Sequence, residues 1–353
     1  MTEMTIDGLR ARIETRRAET PNMRARDLAH DLGVSEAELV CAGLGHTATR
    51  LTSDWAEIIT GFGNLGEVMA LTRNDAVVHE KVGEYANMDF GAHGGIVLNH
   101  DIDLRLFLSR WHFGFAVAED TRSGPRRSLQ FFDQDGTAVH KVYMRADSND
   151  DAYDALVDRF RHDDQTSMIE TKPLPAAKAP EPDDAIDREG LLADWSALKD
   201  THDFFPLLRK YKVAREQALR LAEGQFAQRA PIDAATRVLE AASAGGAPIM
   251  VFAGSKGCIQ IHTGPVVRIE PRGPWINVLD DGFNLHLRTD LIASAWVVRK
   301  PTVDGDVTSV EIYDANHELI VQFFGERKPG IAERDDWRSL VATCVPGPGL
   351  AAE

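Results

Sequence analysis

Ala76-Val-Val-His-Glu-Lys-Val-Gly83 and, 181 residues later, Gly257-Cys-Ile-Gln-Ile-His-Thr-Gly264 share one form: an alternating apolar strand that carries a histidine and closes on glycine. The interval recurs downstream. Asp103-Leu-Arg-Leu106 lies over Asn284-Leu-His-Leu287, Trp111-His-Phe-Gly-Phe-Ala-Val117 over Ile292 to Val298, and Ser128 to Asp133 over Ser309 to Asp314. One constant spacing held without a gap over about 60 residues marks a tandem duplication. Period-two alternation within the matched segments predicts antiparallel strands, and the segments before them have helical spacing. The fold class read from this pattern is α+β: a tandem structural repeat, each half a large antiparallel β-sheet with helices.

Worked outward, the chain begins with helical patterns over about residues 5 to 45. Gly33 ends one helix and Ser35 caps the next, with Glu38 completing a capping box. This pair of helices has the outline of a DNA-reading helix-turn-helix, but the second helix carries Glu36 and Glu38 and no arginine to meet phosphate. Strands follow to about Tyr143, then a short helix from Asp150 to Phe160. A proline- and charge-rich stretch over 172–187 reads as a linker. The expected domains are therefore an N-terminal repeat over 1–171 and a C-terminal repeat over 188–353. The second half repeats helices through about Ala244 and strands from Pro248 to Phe324, and the polar tail from Gly325 is expected to be loose.

The chain has 353 residues, 43% apolar and 27% charged, with a formal charge of −16. That balance argues against a nucleic-acid partner, which needs a broad basic face. No window approaches the roughly 18 to 20 apolar residues of a membrane span, and the start lacks the basic and apolar segments of a signal peptide, so a cytoplasmic protein is expected. Cys41, Cys258 and Cys344 are too scattered for a disulfide framework or a thiolate metal site and read as small buried hydrophobes.

Zinc-hydrolase, phosphate-loop and serine-hydrolase motifs are missing from the sequence. The segment that carries chemistry is Asp200-Thr-His-Asp-Phe-Phe-Pro-Leu-Leu-Arg-Lys-Tyr211, which sets His202 among aromatic and aliphatic residues and follows it with Arg209, Lys210, Lys212 and Arg215. One nitrogen ligand, apolar walls and several cations suit a flat, apolar, metal-containing dianion such as haem with its two propionates. Asp200 or Asp203 would orient the imidazole. The same residues read equally as a helix cap beside an ordinary core.

Asp-Thr-His-Asp-Phe-Phe-x-Leu-Leu with Ala214-Arg-Glu-Gln-Ala resembles the corresponding segment of the cytoplasmic haem-trafficking and hemin-degrading proteins of Gram-negative bacteria. The resemblance extends through Thr72-Arg-Asn-Asp-Ala-Val-Val-His-Glu-Lys-Val-Gly, Gly273-Pro-Trp-Ile-Asn-Val-Leu-Asp, Ser294-Ala-Trp-Val-Val-Arg-Lys-Pro and Phe324-Gly-Glu-Arg-Lys-Pro-Gly. It implies a haem cleft between the halves, with His202 as proximal iron ligand and Arg105 reaching the distal face. Arg215, Phe252, Lys300, Gln322, Phe324 and Arg327 match further haem contacts, and His79 matches a position linked to a second haem or to transient transfer. It also implies two roles: accepting imported haem and delivering it onward, or degrading haem with electrons from an external donor. An inner-membrane haem importer and a downstream haem oxygenase or reductase are the implied partners. A homodimer is among the assemblies left open, and a haem-responsive DNA-binding regulator is the remote alternative.

Overall fold

The computed structural model describes residues 5–92, 94–121, 124–176, 179–328 and 330–345. It divides into two compact units. The first comprises residues up to Arg73, Glu80–Pro175 and Gly254–Gln260; the second comprises Asn74–His79, Ala176–Ala253 and the chain from Ile261. Each unit thus takes one short segment from the other half of the sequence.

Helices α1 (Ile6–Glu19), α2 (Ala25–Leu32) and α3 (Glu36–Cys41) precede β1 (Ala48–Arg50) and α4 (Trp55–Gly61). Strands β2 (Val68–Arg73), β3 (Val77–Gly83), β4 (Met88–Gly91), β5 (Gly94–Leu98), β6 (Asp103–Leu106), β7 (Phe113–Thr121), β8 (Gly124–Phe132) and β9 (Ala138–Met144) follow, and then α5 (Asp150–Arg159). The second half runs α6 (Arg188–Ser196), α7 (Phe204–Tyr211), α8 (Arg215–Leu221), β10 (Ala227–Ala230), α9 (Ala234–Gly245), β11 (Ile249–Gly254) and β12 (Cys258–Gly264). It continues through β13 (Ile269–Arg272), β14 (Trp275–Asp280), β15 (Phe283–Arg288), β16 (Ser294–Thr302), β17 (Gly305–Tyr313), β18 (Leu319–Gly325) and α10 (Asp335–Cys344).

Pairing repeats as the spacing predicts. In the first unit β1-β7-β8-β9-β2 form one antiparallel run and β4-β5-β6 another. In the second, β10-β16-β17-β18-β11 and β13-β14-β15 reproduce both. The β8–β9 and β17–β18 ladders even share a register shift at the matching place, beside Phe132 and beside Tyr313.

Alternation gives the second unit's sheet two different faces. Val297, Val310, Ile312, Val321 and Phe323 point to one side and bury against Val238 and Leu239 of α9 and Trp337 and Val341 of α10. On the other side Trp296, Val298 and Tyr313 pack with Trp195 of α6, Phe204, Leu207 and Leu208 of α7, and Leu219 of α8. Each such side chain contributes about 1.5–3 kcal/mol on burial.

Several expectations are met. Ser35 accepts from the Glu38 N–H while Glu38 Oε2 accepts from the Ser35 N–H, and Gly33 takes the left-handed conformation that ends α2. All three cysteines are free and buried. The tail is a correction: Trp337, Val341 and Cys344 recur at helical spacing and bury, so Asp335–Cys344 is a packed helix and not a loose end. Residues 346–353 of that tail, like 177–178 of the linker stretch, lie outside the described residues. The rest of the stretch is partly pinned: Gln217 Nε2 donates to the Glu181 carbonyl and Arg220 pairs with Asp183.

Candidate haem site

His202 sits in a single 3-10 turn, Thr201–Asp203, directly before α7. The turn is closed from both ends. The Asp200 carboxylate accepts from the His202 N–H at 2.8 Å, and the Asp200 N–H donates to Asp203 Oδ2 at 3.2 Å. Pro206 falls in the first turn of α7, where its missing N–H costs no helical bond. Phe204, Leu207 and Leu208 then bury at helical spacing, whereas Phe205 faces out, 63% exposed. Among the four residues expected to wall the site, Phe205 alone is turned to solvent.

The imidazole itself is 87% exposed. Its Nδ1 lies 2.5 Å from Asp200 Oδ1. An ionised carboxylate only accepts, so Nδ1 is the donor in this contact and Nε2 is the ring nitrogen left for another partner. The backbone N–H of His202 is the main cause holding the Asp200 carboxyl below its ordinary value, and Arg327 contributes to the same field. A fixed tautomer on an open side chain is the arrangement of a metal-binding histidine with its carboxylate partner.

Beneath this turn lies the Phe204 ring, edge-on to Trp195 at 4.6 Å. Lys300 Nζ stands 4.7 Å and Arg215 Cζ 5.3 Å from its centre. Both cations converge on Glu311, which is fully buried. Arg215 grips it as a fork, Nε to Oε2 at 2.9 Å and Nη2 to Oε1 at 2.8 Å. Lys300 Nζ and Gln322 Nε2 each donate to Oε1 at 2.9 Å, and the Tyr313 hydroxyl donates to Oε2 at 2.6 Å. Burial works to raise the Glu311 carboxyl, but Arg215 and Lys300 outweigh it and hold the group well below its ordinary value.

Phe252 and Phe324 meet at 4.9 Å on the same sheet face, and Phe252 stands opposite Gln322 in the β11–β18 register. Arg327 is 18% exposed and 3.7 Å from Asp304. Its Nε is buried without an acceptor among the described residues. An orphaned guanidinium donor costs free energy unless a ligand supplies the acceptor, and a propionate would. The rim is apolar: Phe205, Val303 (77% exposed) and Ile331 (57% exposed). Val303 is tied to the His202 turn through its N–H to the Lys199 carbonyl, at 3.0 Å.

In the first unit, Arg105 on β6 pairs with Asp103 two residues away on the same strand face. It stands opposite Ile96, and Ile96, Leu98 and Phe107 around it are exposed apolar side chains. Arg105 is thus an ion-paired cation on an exposed apolar patch. His79 was the other first-half candidate. It is completely buried, 4.9 Å from the Phe283 ring, and does not lie on an exposed strand face. His262 stacks flat on the same ring at 3.8 Å.

Glu311 and Tyr313 went unnoticed in the sequence. Their signal is Ser309-Val-Glu-Ile-Tyr313, where polar residues alternate with core valine and isoleucine in a strand that buries both faces. Among the described residues no group of three or more histidine, cysteine or acidic side chains is placed to hold a bare metal ion.

Fold and site together define a tandem-repeat α+β protein whose second unit presents one oriented imidazole over an aromatic and cationic face. Residues 33–160 and 212–344 each match the haemin-degrading HemS.ChuX domain, and the chain belongs to that family. It is 40% identical over 332 residues to the hemin transport protein HmuS of Yersinia pestis, covering 93% of this chain and 95% of that one. The crystal structure of holo-PhuS, a heme-binding protein from Pseudomonas aeruginosa, superposes with a TM-score of 0.94 at 48% identity, covering 96% and 98% of the two chains. The heme degrading enzyme ChuS of Escherichia coli O157:H7 superposes with a TM-score of 0.90 at 36% identity, over 97% and 100%.

Proposed function

We propose that this chain binds haem through His202 Nε2 and delivers it onward within haem-iron utilisation. The observation that carries the reading is the Asp200-clamped, solvent-open imidazole above Phe204 and its two cations. Burying a porphyrin face against the half-buried Phe252 and Phe324 would contribute several kcal/mol at roughly 25 cal/mol per Å². Arg327 and Arg215 supply positive charge for the propionates. Similarity to a hemin transport protein and a heme-binding protein supports the assignment.

A second reading, haem degradation, is favoured by the match to a heme degrading enzyme. In that reaction electrons from an external donor and O2 open the macrocycle and release iron, so a reductase is a required partner; an importer is the supplier in either case. No described helix is long and apolar enough to cross a membrane, which accords with a cytoplasmic place of work.

The test is a hemin titration followed by Soret absorbance on the wild type and His202→Ala. A saturable band that the variant loses or shifts supports ligation, and identical spectra refute it. Ascorbate added under air with catalase then separates the roles. A band that decays to an open tetrapyrrole means degradation, whereas one that persists and moves to an apo-acceptor means delivery.

A further inference from the structure

Glu311 does more than neutralise a neighbour. Its two oxygens accept from Arg215, Lys300, Gln322 and Tyr313, and also from Ser309 Oγ at 3.0 Å, so no lone pair is spare. Yet the charges do not cancel. Two cations face one carboxylate, leaving a surplus of one positive charge where the Glu311, Lys300 and Arg215 side chains are 0%, 3% and 27% exposed. A buried surplus of this kind is costly until an anion meets it. The same stoichiometry recurs in the first unit, where Glu36 pairs with Arg73 and lies 3.6 Å from Lys141 Nζ.

We propose that Glu311 is a positioning residue that keeps Arg215 and Lys300 charged and side by side on Phe204, so that this face receives one carboxylate of a flat, apolar ligand. The inference rests on the haem reading and adds a determinant to it: the carboxylate selectivity is set by a residue that does not touch the ligand. Lys300 faces Glu311 of β17, the Phe204 ring of α7 and the charge of Arg215 of α8, while Ser309 and Tyr313 of β17 and Gln322 of β18 meet it through Glu311. Burial pushes the Lys300 ammonium down, Glu311 opposes that, and Arg215 adds to it. Without the Glu311 charge the ammonium faces a guanidinium in a dry setting and releases its proton. Binding of a ligand carboxylate would then have to restore that proton.

The experiment compares hemin with hemin dimethyl ester, which has the same ring and iron but no carboxylates, titrated into the full chain from about pH 6.5 to 8.5. Because both ligands share the iron's own hydroxide equilibrium, their difference reports the carboxylates. In the wild type the preference for hemin over the ester stays constant with pH. In Glu311→Gln it declines as pH rises, by up to about tenfold per pH unit for one linked proton, and hemin binding takes up a proton from the buffer. Glu311→Asp restores the flat profile.

A Glu311→Gln preference that does not change with pH overturns the proposal, as does an equal loss of affinity for both ligands, which marks a purely structural role. If Glu311→Gln does not fold, Lys300→Met leaves Arg215 and Glu311 mutually neutral, and the preference for hemin over the ester should fall without vanishing, since Arg327 still meets the other propionate; an undiminished preference overturns the proposal. A wild type that binds neither ligand refutes the haem reading itself.

Discussion

Replacing Asp200 should weaken haem binding without unfolding anything. The carboxylate makes two bonds to one residue, to the His202 N–H at 2.8 Å and to Nδ1 at 2.5 Å, and it is the cap of a three-residue turn. Asp200→Ala removes both, freeing the ring to rotate and to shift its proton to Nε2, the nitrogen proposed to bind iron. Loss of a carboxylate partner behind a metal-binding histidine typically costs about 10–100-fold in affinity. Asp200→Asn keeps an acceptor and the cap but not the charge, and since charge-assisted bonds are about twice as strong as neutral ones, it should lie between. The turn is exposed, so the melting temperature should move little. The assay is the hemin dissociation constant from the Soret band, with the rate of transfer to an apo-globin as a second readout. The reasoning fails if Asp200→Ala keeps wild-type affinity, or if Asn is as damaging as Ala.

Arg327→Met removes the buried orphan donor, so the ligand-free protein should be no less stable. Hemin affinity should fall about tenfold, the scale of a bond to a charged group, and unchanged affinity would remove Arg327 from the site. Trp337 is fully buried and donates its Nε1 to the Thr308 carbonyl at 3.0 Å. Trp337→Ala should therefore cost about 3–5 kcal/mol in urea unfolding, and a loss under about 1 kcal/mol would return α10 to the loose tail first expected. Burial pushes His140 down to about 3, and it is held neutral between Thr72 Oγ1 at 2.9 Å and the Tyr85 hydroxyl at 2.6 Å. The unfolded chain takes up a proton near the ordinary histidine pKa of about 6.5 while the folded one does not. Stability is thus full above that pH and drains away as pH falls toward 3. Melting temperature against pH should slope steeply over this window in wild type and flatten in His140→Gln, and parallel curves would contradict the assignment.

The repeat was legible because strand alternation and turn residues must be copied for a duplicated sheet to fold, so the interval survives in the sequence even where side chains differ. Gly83 and Gly264 still mark it. The exchange of Asn74–His79 and Gly254–Gln260 between units was not, since the same alternating strand serves either sheet. At the site, His202 and its carboxylate were readable because they are neighbours in sequence. Glu311 was not, because its partners come from α8, β16, β17 and β18 and only folding brings them to one point. His79 shows the converse: a histidine in an alternating strand gives no sign of which face it joins, and this one lies buried beside Phe283.

The 87% exposure of His202, the proposed iron ligand, also bears on the order of events in the proposed delivery. Haem set free in water stacks with itself and oxidises whatever it meets, so a carrier that released it before an acceptor arrived would do harm. If His202 holds the iron as proposed, an imidazole on an exposed turn, near the exposed Phe205 and Val303, would leave room for an incoming side chain to reach the metal before His202 lets go. Such a carrier passes its cargo as a relay runner passes a baton, with two hands on it at the moment of exchange.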